Sequence, residues 1–489
     1  MTVTAAPSLP TLNYRETDWK KFNVKLKAEL GRLGPPTVLA TKDEFQTTAK
    51  GLKTVLGKVV SEEVPMTCPH PHNKRWWTKD LTKIRNDLKT LSKASHSFRT
   101  VPGHPSHTMR REKVAEYNKA IRMTKKDHWV SWLEEATGSD LWITNKYITS
   151  PLGDGGKLHI LTLVTKDDKG NMVTATDNES KSEVFTKTLF LPPPPQSAVL
   201  LDFTYPEPAA PWTDITEEQL HKSITKLSLY KAPGPDGVAN IVFQCCPVLQ
   251  PYLLFLFNAA LSLHTYYSPW RESVTVILHK PGHPDYLVPK AYRPIALMNM
   301  TAKLLSALVT NWASYILETH GLLPPAHFGG RPGCSTEDSL LLLETTIKHA
   351  WRQRKVASVL FLDIEGAFLN TVTDQLLHNM CKQHLPPEIV GFTEHLLDNR
   401  KTRLRFNDFE SEWFALNGIR QGDPLSMLLY VIYSSDLVDI AKKENGELVL
   451  AFIDDTALVV VGKSFKETHR KLKDMLEQQG GGLRVVYDP

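Results

Sequence analysis

The 489-residue sequence predicts a mixed α/β (α+β) fold in two parts, the first mostly helical and basic, the second combining helices with sheet. Three patterns point there. Residues 448–461 place two apolar, β-branched runs around Asp454-Asp455, which reads as a β-hairpin with carboxylates at its turn. Residues 356–363, Val-Ala-Ser-Val-Leu-Phe-Leu-Asp, form a buried-strand pattern ending on an acid. Elsewhere, stretches such as 216–229 and 302–319 repeat apolar residues at helical spacing.

Composition bounds the answer. A chain of this length holds two or three domains, and 41% hydrophobic with 23% charged residues is a globular balance. The net charge of +5 is unevenly spread: residues 71–130 carry 15 Lys/Arg against 5 Asp/Glu. A basic block beside a near-neutral body suits nucleic acid, although a solvated helical face is the plainer account of a charge run. Cys68, Cys245, Cys246, Cys334 and Cys381 form neither a disulfide nor a zinc framework, which implies a reducing, intracellular compartment. The first 21 residues lack the apolar core of a secretory signal. The apolar run 253–263 is broken by Asn258 and is too short to span a bilayer, so no membrane partner is expected.

Along the chain, 20–33 reads as a short basic helix, and Cys68-Pro-His70-Pro-His72 as a loop whose prolines space it poorly for a metal. From Arg75, the residues Trp76, Leu81, Ile84, Leu88 and Leu91 fall near one helical face with lysines opposite. Residues 102–106 break that helix and a second runs over about 110–135. Trp129 and Trp132 near its end are expected as buried anchors, with stacking on bases as their other use. Short strands or loops are expected at 142–163 and 170–174, and a helix at 178–190. The proline run 192–195 is stiff and extended, and the main domain boundary is placed there, at 195. Beyond it, Thr213 or Asp214 caps the helix 216–229, and Glu217 and Glu218 occupy its first turn. Lys231-Ala-Pro-Gly-Pro-Asp-Gly237 is a rigid turn. Two apolar helices fit 241–263, a strand 273–279, and helices 302–319 and 336–351.

Two adjacent carboxylates on an apolar hairpin repel each other, and burying either unpaired costs several kcal/mol. A divalent cation would remove that cost. Hard oxygen ligands suit Mg²⁺, which binds one or two carboxylates together with substrate phosphates. Asp363, from a separate strand, would add a third carboxylate and complete a site for two metals, as used for in-line displacement at phosphorus. A solvated Asp-Asp turn is the alternative. Gly418-Ile-Arg-Gln-Gly-Asp-Pro-Leu-Ser426 lies between these stretches as a polar turn leading into the apolar run 427–433.

Six ordered motifs carry a resemblance: 231–237, Tyr292-Arg-Pro-Ile-Ala-Leu297, Phe328-Gly-Gly-Arg-Pro-Gly333, Leu362-Asp-Ile-Glu-Gly-Ala-Phe368, 418–426, and Phe452-Ile-Asp-Asp455. Together they resemble the reverse transcriptase of non-LTR (LINE-type) retrotransposons, with the motif around Asp363 most like fungal members. The likeness covers roughly 212–482, and the basic region before it resembles the linker between endonuclease and polymerase in such elements. It implies the fingers and palm of a right-hand polymerase, at 196–489, after a basic helical region at 1–195. Asp363, Asp454 and Asp455 would be catalytic metal ligands for Mg²⁺, or Mn²⁺ in its place. Lys280 and Arg293 would grip the incoming triphosphate. Gln421 and Gly422 would line the nucleotide cleft, and Phe368 would lie beneath the sugar. The implied substrates are dNTPs, the partners an RNA template and a DNA primer, and the setting the nucleus.

The sequence departs from that pattern in places. Leu369-Asn370 stands where Asp usually follows the strand, Met427 where Pro is common, and the pattern fades after Gly480. A truncated copy without its thumb is therefore expected, with distributive synthesis at best. A catalytically silent nucleic-acid-binding remnant is the alternative. An unrelated nucleotide-binding enzyme fits badly, because Gly462-Lys463-Ser464 lacks the earlier glycine of a P-loop. The oligomeric state stays open.

Overall fold

The computed structural model describes residues 11–67, 76–134, 160–166, 170–192, 199, 202–280, 283, 285–364 and 366–477. The loop expected at 68–72, most of the proline run and the chain after 477 lie outside them. The chain divides into two compact units, one of 1–12 with 66–157, the other of 13–65 with 158–489.

The smaller unit pairs β1 (Thr11–Leu12) with β2 (Met66–Thr67) and folds two helices, Lys79–Ser97 and Pro105–Glu134, against each other. Thr78 caps the first helix by accepting from the Leu81 amide. Leu81 is buried as expected, whereas Trp129 is 41% exposed rather than an anchor. The long helix has no sustained apolar stripe: Arg, Lys and Glu crowd residues 110–126, so few of its positions there have an apolar face to bury.

The larger unit differs from the expected division at 195. The helices Trp19–Leu33 and Lys42–Glu63 belong with the C-terminal body. Their apolar faces pack inward through Phe22, Leu26, Phe45, Leu52, Leu56 and Val59, all buried. Polar clasps fix them: Tyr14 Oη donates to the Gly237 carbonyl at 2.6 Å, and Asn23 Nδ2 to the Cys245 carbonyl at 2.8 Å.

Two sheets position the chemistry. Before them, β3 (Leu163–Lys166) and β4 (Met172–Ala175) form a small hairpin. In the first sheet, β5 (Glu272–His279) lies antiparallel to β6 (Tyr292–Met298) and parallel to β8 (Lys401–Phe406), with β9 (Phe409–Glu410) and β10 (Phe414–Ala415) as short additions to β8. The second sheet has three antiparallel strands. β11 (Glu447–Phe452) pairs with β12 (Asp455–Gly462), and β12 with β7 (Val356–Asp363). One face of it packs Val449, Ala451, Leu458 and Val460 against Leu472, Met475 and Leu476 of the helix Phe465–Glu477. The other packs Leu450, Ala457 and Val459 against Leu343 of the helix Thr336–Arg352. The helix expected at 216–229 spans Glu217–Thr225, and Thr216, not Thr213 or Asp214, caps it through a reciprocal bond with Gln219. No helix among the described residues is long and apolar enough to cross a membrane.

Candidate active site

The site begins with strand alternation. Asp363, Phe361 and Val359 share one face of β7, and Asp455, Ala457 and Val459 share the same face of β12. The register sets Asp455 directly opposite Asp363. Side chains so placed in an antiparallel pair have Cβ atoms about 5 Å apart. Phe452 also pairs with Asp455, so the hairpin turn is the two-residue Ile453-Asp454. Asp454 therefore sits beside the Asp363–Asp455 pair. Burial raises its pKa above the usual carboxylate range, Asp455 and Asp363 raise it further, and Arg293 opposes them.

Ile453 holds φ at +61°, which a β-branched residue rarely adopts. The segment ahead of Gly329 runs along β11: Ala451 N donates to Ala326 O at 3.0 Å, and Phe328 N to Ala451 O at 2.8 Å. Gly329 then meets the turn so closely that a Cβ there would lie 2.4 Å from Ile453 N. His327, fully buried in the same segment, meets Ser434 Oγ through Nε2 at 3.2 Å, and burial pushes its pKa down to about 4.

Gln421 and Gly422 reach the site through β6. The Ala296 amide donates to the Gln421 carbonyl at 2.8 Å, and a Cβ on Gly422 (φ +120°) would lie 2.9 Å from Ala296 O. Ile419 N donates to Phe368 O at 2.6 Å, and Gly418 (φ +63°) fits tightly over Leu369 O, which ties this loop to the end of β7. Beneath it, Arg400 and Arg420 are fully buried and donate to the Gly418, Trp270 and Arg271 carbonyls. Phe368 is half-buried with its ring 5.2 Å from that of Tyr430. Phe361, which β-alternation suggests as core, is 70% exposed, because the helix covering this face reaches Val359 and Ala457 but not the acid-bearing end.

The sequence-derived residues thus divide. Asp363, Asp454, Asp455 and Arg293 are linked by register or by charge. Gln421 and Gly422 are joined by backbone contacts to β6, and the Phe368 carbonyl to Ile419 of the same loop. Lys280 lies just past β5 opposite Ala291, with no contact to the acids. Gly329 and Ile453 stand in two of the motifs without a role assigned to them, and Tyr430 lies outside them all. The paired glycines at 329–330 are the one signal that could have marked a close backbone approach.

Among the described residues, no three His, Cys, Asp or Glu side chains form a ready-made ion cage. The donors still fit Mg²⁺: all are hard carboxylate oxygens, mutually repelling, on an open face where phosphate oxygens could complete the shell.

Residues 278–484 match the family described as reverse transcriptase (RNA-dependent DNA polymerase). Over these residues the chain resembles that family. The curated relatives agree. The "Probable RNA-directed DNA polymerase from transposon BS" of Drosophila melanogaster is 29% identical over 273 residues, 54% of this chain and 30% of that protein. Its counterpart from transposon X-element of the same fly is 31% identical over 253 residues, 51% and 27%. A 115 kDa protein in the type-1 retrotransposable element R1DM, also from this fly, is 20% identical across 98% of this chain and 44% of its own length. These names place the resemblance with non-LTR retrotransposons, and as insect elements they lend nothing to a fungal affinity. The chain spans less than a third of the two polymerases and under half of the third relative.

Proposed function

We propose that this reverse transcriptase domain is an RNA-directed DNA polymerase that adds deoxynucleotides to a primer 3′-hydroxyl on an RNA template. The observation that carries this reading is the register of β7 and β12, which sets Asp363 opposite Asp455 with Asp454 in the adjoining turn. Divalent metal bound there would neutralise charge on the reacting phosphate oxygens. Asp363 and Asp454 would hold it, with Asp455 toward the primer end. Arg293, whose charge opposes the rise in the Asp454 pKa, takes a triphosphate oxygen, and Lys280, just past the end of β5, supplies a second cation. Gln421 and Gly422 form the wall of the nucleotide cleft, and Phe368 is the floor beneath the sugar. The setting proposed for the reaction is the nucleus.

Primer extension on poly(rA)/oligo(dT) tests the whole reading. Extension that needs Mg²⁺ and dTTP, and is lost in Asp454→Asn, is the expected result. A chain that binds the template-primer but extends nothing in Mg²⁺ or Mn²⁺ would instead be a silent binding remnant.

A further inference from the structure

Trp129 lies exposed near the end of the helix Pro105–Glu134. Along Pro105–Glu134, Arg111, Lys119, Arg122, Lys126 and Trp129 are spaced 8, 3, 4 and 3 residues apart. At 3.6 residues per turn they share a stripe roughly 80° wide and about 27 Å long. Every one of them is exposed. The carboxylates are segregated from the stripe: Glu112, Glu116 and Asp127 fall on the next arc. Glu116 and Asp87 of the partner helix both engage Lys113. Among the described residues the four stripe cations make no ion pair.

A charge run on a solvated helix alternates sign or pairs at i,i+4. This one keeps its cations unpaired and aligned, and it closes on an aromatic ring. We propose that this stripe is a binding surface for single-stranded nucleic acid, separate in sequence from the aspartate site. The four cations track successive phosphates, and Trp129 stacks on an unpaired base at the end of the track. A duplex would offer the phosphates but not the open base face. The proposal does not depend on polymerase chemistry.

The test is fluorescence anisotropy of a fluorescein-labelled 20-nucleotide oligo(rU) with the full chain, across salt concentrations. Four phosphate contacts to a single strand contribute about 2.8 to the slope of log affinity against log salt. The combined variant Arg111→Gln, Lys119→Gln, Arg122→Gln, Lys126→Gln should therefore lose that much slope. Between 50 and 200 mM salt, its affinity should fall about 50-fold less than the wild type's. Arg111→Lys with Arg122→Lys keeps the charge and should keep the slope, with helicity by circular dichroism as the folding control. Trp129→Ala should weaken binding about tenfold without changing the slope. An unchanged slope in the fourfold variant overturns the proposal, as does equal affinity for a 20-base-pair duplex. Loss of primer extension with this binding intact would count only against the polymerase reading.

Discussion

Gly329 has no room for a side chain, and the atoms it would strike are those that hold Ile453 in its left-handed backbone. A methyl group there must displace either the 326–330 segment or the turn carrying Asp454. Misplacing a reacting group by about 1 Å can cost 10²-fold in rate. Gly329→Ala is accordingly expected to lower kcat for nucleotide addition by about 100-fold or more while primer affinity by anisotropy stays within a few-fold. Equal kcat would show that the turn is held by other contacts. Phe368 gives a second residue-level expectation. Half-buried on Tyr430, past the end of β7, it has an anchored ring to set against a sugar. A ring packed against C2′ leaves no space for a ribose hydroxyl and offers it no partner. Phe368→Val should raise the relative kcat/KM for rNTP over dNTP at least tenfold in single-nucleotide insertion, and an unchanged ratio with activity retained would reduce Phe368 to packing.

At the scale of elements, the turn 231–237 shows how fold and titration are linked. Gly234 fits against the Met298 carbonyl at the end of β6, where a Cβ would lie 2.1 Å away. Next to it, Asp236 enters a pocket walled by Leu52, Leu56 and Trp270, and burial pushes its carboxyl up to about 6. The folded chain therefore holds this proton more tightly than the unfolded chain. The stability so gained is complete below pH ~4 and is lost as pH rises through 6, by up to about 3 kcal/mol. Asp236→Asn keeps the hydrogen bond from the Val238 amide and removes the titration. Urea midpoints should favour this variant over wild type at pH 7 and converge with it near pH 4; a constant difference across that range would assign the effect to packing instead. The same elements show what the sequence made legible. Continuous apolar, β-branched runs gave β7, β11 and β12, with the acids at a strand end and a turn, because a sheet covered on both faces needs apolar side chains on both. Phe361 lies in one of these runs and is still exposed, since an apolar run identifies a buried strand but not how far its cover extends. The docking of residues 13–65 on the C-terminal body was hidden for a similar reason: amphipathic helices declare an apolar stripe, not its partner. Gly329 left no periodic trace at all.

For the whole molecule, the two units differ in how much apolar surface they remove from water. In the larger one, Val449, Leu450, Leu458, Val459 and Val460 are each at most 3% exposed, within a sheet covered on both faces. In the helix pair of the smaller one, Leu81 is the sole large apolar side chain buried to that degree among the described residues. Each fully buried aliphatic side chain contributes about 1.5–3 kcal/mol, and helices this polar rely on tertiary packing for most of their stability. The helices Lys79–Ser97 and Pro105–Glu134 should therefore open far more readily than the sheet. Hydrogen exchange of the free protein is expected to show their amides protected at least 100-fold less than those of Leu458 and Val460. Because a ligand that binds only the folded form stabilises it, saturating oligo(rU) should slow exchange in these two helices more than in the sheet. Uniform protection across both units in the free chain would mean that the helix pair draws stability from packing beyond Leu81, and that it unfolds cooperatively with the sheet.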